Sequence, residues 1–277
     1  IEGKKNPNDF ALWKLSKPDE HRQMEWESPW GAGFPGWHIE CSAMAMQYLG
    51  EEFDIHTGGI DHIPVHHTNE IAQSQAATGH PFVHYWLHGE HLVINDAEKM
   101  AKSGENFITL QTLENDHRDP LAYRYYALTT HYRKQLIFSW GALEGAEQGL
   151  KSLRERLYEM GEGVGELPEN IKKKFNELIG DDLNTPKALA YLWTIIKSKK
   201  PALVKRAAAA EFDKIFALNL LTHTAEPVPE HVMILVRERE TARANKEWQK
   251  SDDLRKRILE EGWVVEDKPQ GSHVKPI

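Results

Sequence analysis

The chain reads as α/β at its front and all-α behind it, and two patterns carry that reading. Over about 60 residues from Ile39, helix-type and strand-type stretches alternate and are parted by glycines. Beyond Thr109, apolar residues recur at helical spacing instead. The first pattern predicts part of a parallel sheet with crossover helices, and the second a helical bundle.

Residues 1–36 are rich in Pro, Gly and Trp ("WESPWGAGFPGW") with little periodicity, so they read as an irregular segment lying against a scaffold. "IECSAMAMQYLG" has helix formers and a glycine stop, "EFDIHTGG" is a short strand ending in a glycine turn, and "HHTNEIAQSQAATG" is a second helix with its own glycine terminator. "HYWLHGEHLVI" reads as strand and loop. Five later stretches are helical by period: "LQTLENDHRDPLAYRYYALTT", "ALEGAEQGLKSLRERLYEM", "PENIKKKFNELI", "NTPKALAYLWTIIKSKK" and "HVMILVRERETARANKEWQKSDDLRKRILEEG". Punctuation falls at Gly161–Pro168, Asp181–Pro186 and Thr222–Pro229, and "WVVEDKPQGSHV" is a strand-like tail.

With 277 residues and 40% hydrophobic content, the chain can build one large domain or two ordinary ones. Lys+Arg 34 against Asp+Glu 42 leaves −8, so bulk charge does not announce a nucleic-acid binder, although a local basic face works on an acidic protein too. No apolar run approaches the roughly 18 residues of a membrane span, and "IEGKKNPNDF" has no apolar leader, so the expected location is cytoplasmic, away from any membrane. The single cysteine, Cys41, excludes an internal disulfide and leaves a thiol kept for packing or for chemistry.

Three stretches carry chemical signals. In "VHHTNEIAQS", His66 and Glu70 stand four apart on one helical face, and Cys41 can come from the neighbouring helix. Thiolate, imidazole and carboxylate together suit Zn²⁺ better than Ca²⁺ or Mg²⁺; a small buried cysteine and a surface histidine turn are the plainer alternative. In "KMAKS", Lys99 and Lys102 with Ser103 can hold triphosphate oxygens, or are simply solvated. In "HTGGID", Gly58 and Gly59 let backbone approach a flat ligand and Asp61 offers a carboxylate to a ribose hydroxyl, or the stretch is an ordinary turn.

Read in order, "PGWHIECSAMAMQYLG", "FDIHTGGIDHIPVHHTNEIAQSQA", "YWLHG" and "KMAKSGENF" resemble the cysteinyl-tRNA synthetases, which are class I aminoacyl-tRNA synthetases. "NPNDFALWK", "HYRKQLIFSW", "DDLNTPKAL" and "VVEDKPQGSHV" extend the likeness over nearly the whole chain. The resemblance implies a partial Rossmann-like nucleotide-binding domain over 1–108, a helical stem-contact region over 109–160, a helical bundle over 161–228 and an anticodon-binding region over 229–277. It implies activation of cysteine by ATP, with Mg²⁺, to cysteinyl-adenylate and transfer to the 3′ end of tRNA(Cys). Zinc would be held by Cys41, His66 and Glu70 and would bind the substrate thiolate, separating cysteine from serine strongly enough to make editing unnecessary. Trp37 and His67 would line the amino-acid pocket, Gly59 and Asp61 would lie near adenosine, and Lys102, with Lys99, would stabilise charge on the pyrophosphate.

The sequence departs from the family in places. "KMAKS" has Ala101 where the family has serine, which removes a hydroxyl and keeps Lys102; "HTGG" stands for a triple glycine; "VHHTNE" keeps both histidines and the final Glu of its motif. The front half of the nucleotide-binding fold, with a His-Ile-Gly-His-type motif and a further zinc-binding cysteine, has no counterpart in these residues. The expectation is therefore a C-terminal portion of a longer enzyme, a natural truncation, or one half of a split enzyme whose N-terminal half is a separate partner chain, in each case unable alone to form the adenylate. A non-catalytic RNA- or partner-binding paralogue is the alternative, opposed by the retained Cys41, His66, Glu70 and Lys102. A mycothiol-type cysteine ligase is the third, opposed by the anticodon-type end at 229–277.

Overall fold

A computed structural model describes residues 4–17, 19, 22–94, 108–222, 228–268 and 271–276. They form two compact units, Ile1–Leu218 and Asn219–Ile277.

The front of the first unit is less irregular than its composition predicts. β1 (Trp13–Leu15) and β2 (Gly33–Pro35) pair antiparallel, and Gly36 leads into α1 (Trp37–Leu49). Gly50 ends α1 with φ 98°, a conformation that costs a side-chain-bearing residue dearly. β3 (Phe53–Gly59) pairs in parallel with β4 (Val83–Gly89), and the crossover between them contains α2 (Thr68–Thr78), closed by Gly79 in the left-handed region. Strand alternation puts His56, Gly58, Trp86 and His88 on one face and Ile55 and Tyr85 on the other, where both are exposed. The loop reading of the next stretch gives way to β5 (Leu92–Ile94), which pairs in parallel with β6 (Leu136–Phe138).

The helical part has more breaks than its periodicity shows. "LQTLENDHRDPLAYRYYALTT" divides into α3 (Leu110–Asn115) and α4 (Pro120–Leu128), because His117 sits at φ 56° and Pro120 has no N–H to continue a helix. Asp119 caps α4 by accepting from the Leu121 N–H at 2.8 Å. α5 (Trp140–Glu159) buries Leu143, Ala146, Leu150, Leu153 and Leu157, the predicted stripe. α6 (Glu169–Gly180), α7 (Thr185–Lys197) and α8 (Ala202–Phe216) pack on one another, with the Phe175 and Phe212 rings stacked at 3.8 Å. α8 is absent from the sequence reading; its buried run Ala207–Ala208–Ala209 supplies close packing without a conspicuous apolar rhythm.

In the second unit, the single long helical reading resolves into α9 (Glu230–Ala244) and α10 (Trp248–Glu260), parted at Lys246 with φ 61°. The tail is an antiparallel hairpin, β7 (Trp263–Lys268) and β8 (Gly271–Pro276). Val232, Leu235, Val236, Leu254, Ile258, Trp263 and Val265 make its core. Among the described residues, no helix is long and apolar enough to cross a membrane.

Candidate metal and nucleotide site

Cys41 lies on α1, one turn beyond His38, and α1 packs against α2. His66 and His67 do not open a plain α-helix as their sequence suggests. They close a π-helical turn, Ile63–His67, that runs directly into α2. The four-residue spacing survives this: His66 Nε2 stands 2.9 Å from Glu70 Oε1. The donor atoms of Cys41, His66 and Glu70 all lie within 4.8 Å of one another.

Glu70 is 0% exposed, and neither carboxylate oxygen has a hydrogen-bond partner. His66 Nε2 and His56 Nε2 approach the two oxygens at 2.9 and 3.1 Å without hydrogen-bonding geometry. Acceptors buried this way are costly unless a cation or donor completes them. The three donors therefore fit a metal ion, and the sulfur among them favours zinc over oxygen-seeking cations. His56, His67 and Glu70 form a second close set that shares the same carboxylate but has no sulfur.

The surroundings hold His66 in place. His38 Nδ1 and His66 Nδ1 are 2.8 Å apart, so one ring donates to the other and His66 keeps Nε2 for the cluster. Burial lowers the pKa of both rings, with the Glu70 carboxylate opposing it, which suits the neutral imidazole a metal requires. Burial, and then Glu70 and Glu40, push the Cys41 thiol up, so metal binding there must release its proton. The Trp37 ring lies 4.2 Å from that of His66 and is 55% exposed, at the rim of the site.

His67 faces the sheet. Its ring packs against Trp86 and His56 at 4.8 and 4.7 Å, and its Nδ1 is 2.8 Å from His88 Nε2. Burial first, and then the His56 charge, bring its pKa down to about 4, so it is neutral at pH 7. The glycine at 58 makes room for it: a Cβ there would lie 2.6 Å from His67 Cε1 and 2.7 Å from His62 Nδ1.

Gly59 ends β3 beside Gly89 at the end of β4, so both face the carboxyl edge of the parallel pair, where α/β folds take nucleotides. A Cβ on Gly59 would strike the Asp61 carboxylate. Asp61 is exposed, 3.8 Å from His91 Nε2 and 3.9 Å from His62 Nε2. Lys99 and Lys102 lie outside the described residues.

The sequence reading missed His38, His56 and His88. A usable signal existed, since nine of the 15 histidines fall between residues 38 and 91. His38 also stands at helical spacing from Cys41, and His56 and His88 share strand faces with Gly58 and Trp86.

Residues 1–148 match the family described as tRNA synthetases class I (C) catalytic domain. Residues 226–274 match the cysteinyl-tRNA ligase anticodon binding domain. The chain belongs to the cysteinyl-tRNA synthetase family of class I. It is 48% identical over 274 residues to cysteine–tRNA ligase 1 of Burkholderia lata, covering 98% of this chain and 58% of that one. With the cysteine–tRNA ligase of Treponema denticola it is 40% identical over 299 residues, covering 95% and 61%. A solved LeuRS–tRNA–LeuAMS ternary complex from Agrobacterium radiobacter K84 overlaps 70% of this chain and 32% of that one, with 14% identity and a TM-score of 0.47. The chain thus spans about three fifths of the length of its curated relatives.

Proposed function

We propose that the chain is the cysteine-recognising and tRNA-binding portion of a cysteine–tRNA ligase, which forms cysteinyl-adenylate from cysteine and ATP and transfers cysteine to the 3′ end of tRNA(Cys). The observation that carries this reading is Glu70, a fully buried carboxylate with neither oxygen hydrogen-bonded, beside Cys41 and His66, in a chain related to cysteine–tRNA ligases. Cys41, His66 and Glu70 would hold zinc, which when bound supplies a borderline-soft Lewis-acid centre for a substrate thiolate.

The chain's own residues divide the remaining work. His38 fixes the His66 ring through their 2.8 Å contact. Trp37 covers the outer side of His66 and lines the cysteine pocket. His67, neutral and tied to His88, adds no cation next to the substrate ammonium. The β3–α2–β4 unit serves as part of a Rossmann-like domain over 1–108, with Gly59 giving backbone access and Asp61 meeting a ribose hydroxyl of ATP. Lys102, aided by Lys99, neutralises the pyrophosphate that leaves with Mg²⁺. Regions 109–160 and 161–228 support the tRNA stem and body, and 229–277 reads the anticodon.

Cysteine-dependent ATP–pyrophosphate exchange tests this, measured on the chain alone and joined to the remaining two fifths of a relative, each with and without a zinc chelator. Exchange by the joined form only, abolished by chelation, is the expected result. Exchange by neither form would remove the ligase reading.

A further inference from the structure

The Cys41 set accounts for half of what Glu70 offers. Oε1 stands 2.9 Å from His66 Nε2, whereas Oε2 stands 3.1 Å from Nε2 of His56, a residue of β3. Neither contact has hydrogen-bonding geometry, and the carboxylate is fully buried. The donor atoms of His56, His67 and Glu70 lie within 4.8 Å of one another, the same limit that the donors of Cys41, His66 and Glu70 meet.

The two sets repeat one plan. His66 is tied through Nδ1 to His38 Nδ1, and His67 through Nδ1 to His88 Nε2, each at 2.8 Å. In both, an outer ring engages one nitrogen of the inner ring and leaves Nε2 for a ligand. Among the described residues His67 Nε2 has no hydrogen-bond partner. Gly58 keeps space beside it, since a Cβ there would stand 2.9 Å from that nitrogen. The His56 ring is braced edge-on by Trp86 at 4.9 Å and by Phe53 at 5.6 Å.

Ring packing explains why these histidines sit together and fails on their donors. A His56 that served the fold alone would turn an N–H onto Glu70 Oε2 and satisfy it; the two atoms are close enough for that and misaligned. A buried carboxylate with a ring nitrogen at each oxygen and a hydrogen bond at neither is arranged for cations. One ion drawing on Oε1 leaves Oε2 bare.

We infer that His56, His67 and Glu70 Oε2 form a second divalent-cation position, joined to the first through the Glu70 carboxylate. Two imidazoles and one carboxylate suit a first-row ion of the zinc class and leave a coordination position open, whereas Mg²⁺ and Ca²⁺ seek oxygens. The second ion binds more weakly than the first, because its ligands include no thiolate and the first ion repels it. The inference goes beyond the ligase reading. His67 lies next to the place proposed for the substrate ammonium, so a second ion belongs to the chain without cysteine and opposes cysteine binding.

The test titrates Co²⁺ alone into the whole chain, freed of metal and without a histidine tag. Absorbance separates the two positions: thiolate bound to Co²⁺ gives an intense near-ultraviolet charge-transfer band, and imidazole and carboxylate give only weaker visible bands. The parent chain should take up two equivalents, the tighter with the charge-transfer band and the other with visible bands alone. Cys41→Ser should lose that band and keep the sulfur-free equivalent. His56→Phe, which keeps a ring against Trp86 and Phe53, should retain the band and lose the second equivalent. His88→Phe removes no ligand and should weaken the second step alone by about 10- to 100-fold; it decides the matter if His56→Phe does not fold, as judged by circular dichroism. A single equivalent in the parent chain, removed by Cys41→Ser, overturns the inference and leaves the zinc reading standing. A second equivalent indifferent to His56→Phe and His88→Phe is binding elsewhere on the surface and overturns it too. One sulfur-free equivalent that depends on His56, with no charge-transfer band, upholds the second position and removes the first.

Discussion

Glu70 in the first unit and Arg239 in the second are both buried charges, and the fold treats them in opposite ways. Arg239 is 1% exposed, and its two terminal nitrogens donate to the two oxygens of Asp267 at 2.9 Å each; only Nε lacks a partner. Arg243 adds a second cation 3.2 Å from the same carboxylate. Around Glu70, by contrast, hydrogen-bonding capacity is left over: both of its oxygens, Gln73 Nε2, Ser74 Oγ and His62 Nδ1 are buried and unsatisfied. A charge kept for the fold is completed from within the chain. One kept for a ligand is left incomplete, at a cost the ligand later removes.

Substitutions at the two places should therefore separate affinity from stability. Glu70→Gln should weaken zinc binding by roughly 10²- to 10³-fold in chelator competition. Structural zinc sites with four ligands bind with about 10–16 kcal/mol, so one ligand accounts for about 3–4 kcal/mol. The same variant should unfold at an unchanged or higher temperature without metal, because an uncompensated carboxylate has been made neutral. A clear loss of metal-free stability would place Glu70 with Arg239, as a structural charge, and end the contrast.

Asp267→Ala should do the reverse, leaving metal binding untouched and lowering the stability of the second unit by about 2–3 kcal/mol. Breaking a fully buried pair costs about 3–5 kcal/mol, and the figure is reduced here because Asp267 is partly open to solvent. The fluorescence of Trp263, buried in that unit's core, reports its unfolding in denaturant. A loss below about 0.5 kcal/mol would mean that Arg239 finds water or another acceptor when the carboxylate goes.

His38→Phe keeps an aromatic ring against Trp37 and Phe10 but removes the partner of His66 Nδ1. Zinc affinity should fall about 10- to 100-fold, the usual effect of losing an orienting hydrogen bond one shell out from a metal, and His38→Asn should recover part of it. Equal, mild loss in both variants would make His38 a packing residue only.

How much of this contrast could be read from the chain depends on how local it is. His66 and Glu70 were legible because a four-residue spacing survives whether the first turn is α or π. The α1–α2 packing that delivers Cys41 was expected, but the histidines behind the cluster arrive by strand register, which no single stretch encodes. Arg239 was hidden in what reads as a solvated charged face; its partner lies 28 residues away, on a hairpin. Secondary structure failed for similar reasons. β6 is three residues long, α8 is built on alanines, and the helix breaks at His117 and Lys246 depend on positive φ at non-glycine residues. Only at the first of these does a proline, Pro120, signal the break.

The smallest expected effect lies at a surface charge that is neither buried nor left incomplete. Asp182 accepts from Tyr132 Oη at 2.6 Å and from Arg133 Nε and Nη2 at 2.5 and 3.2 Å, linking the turn between α6 and α7 to the segment that leads into β6. The Arg133 guanidinium and the Tyr132 hydroxyl hold its carboxyl down at about 2, against 3.8 for an ordinary aspartate. A carboxyl whose folded pKa is depressed stabilises fully above its unfolded value and loses that contribution as pH falls through the folded one. The advantage of the parent chain over Asp182→Asn should therefore be constant above about pH 5 and shrink between pH 4 and pH 2. Asparagine is a fair substitute because residue 182 sits at φ 56°, a conformation it tolerates, so the comparison isolates charge from backbone strain. Both groups stand in solvent, so the advantage should also fall with added salt, unlike the Asp267 effect. A difference in melting temperature that ignores both pH and salt would mean that the turn is held by shape, and that Asp182 matters for its dihedral angles alone.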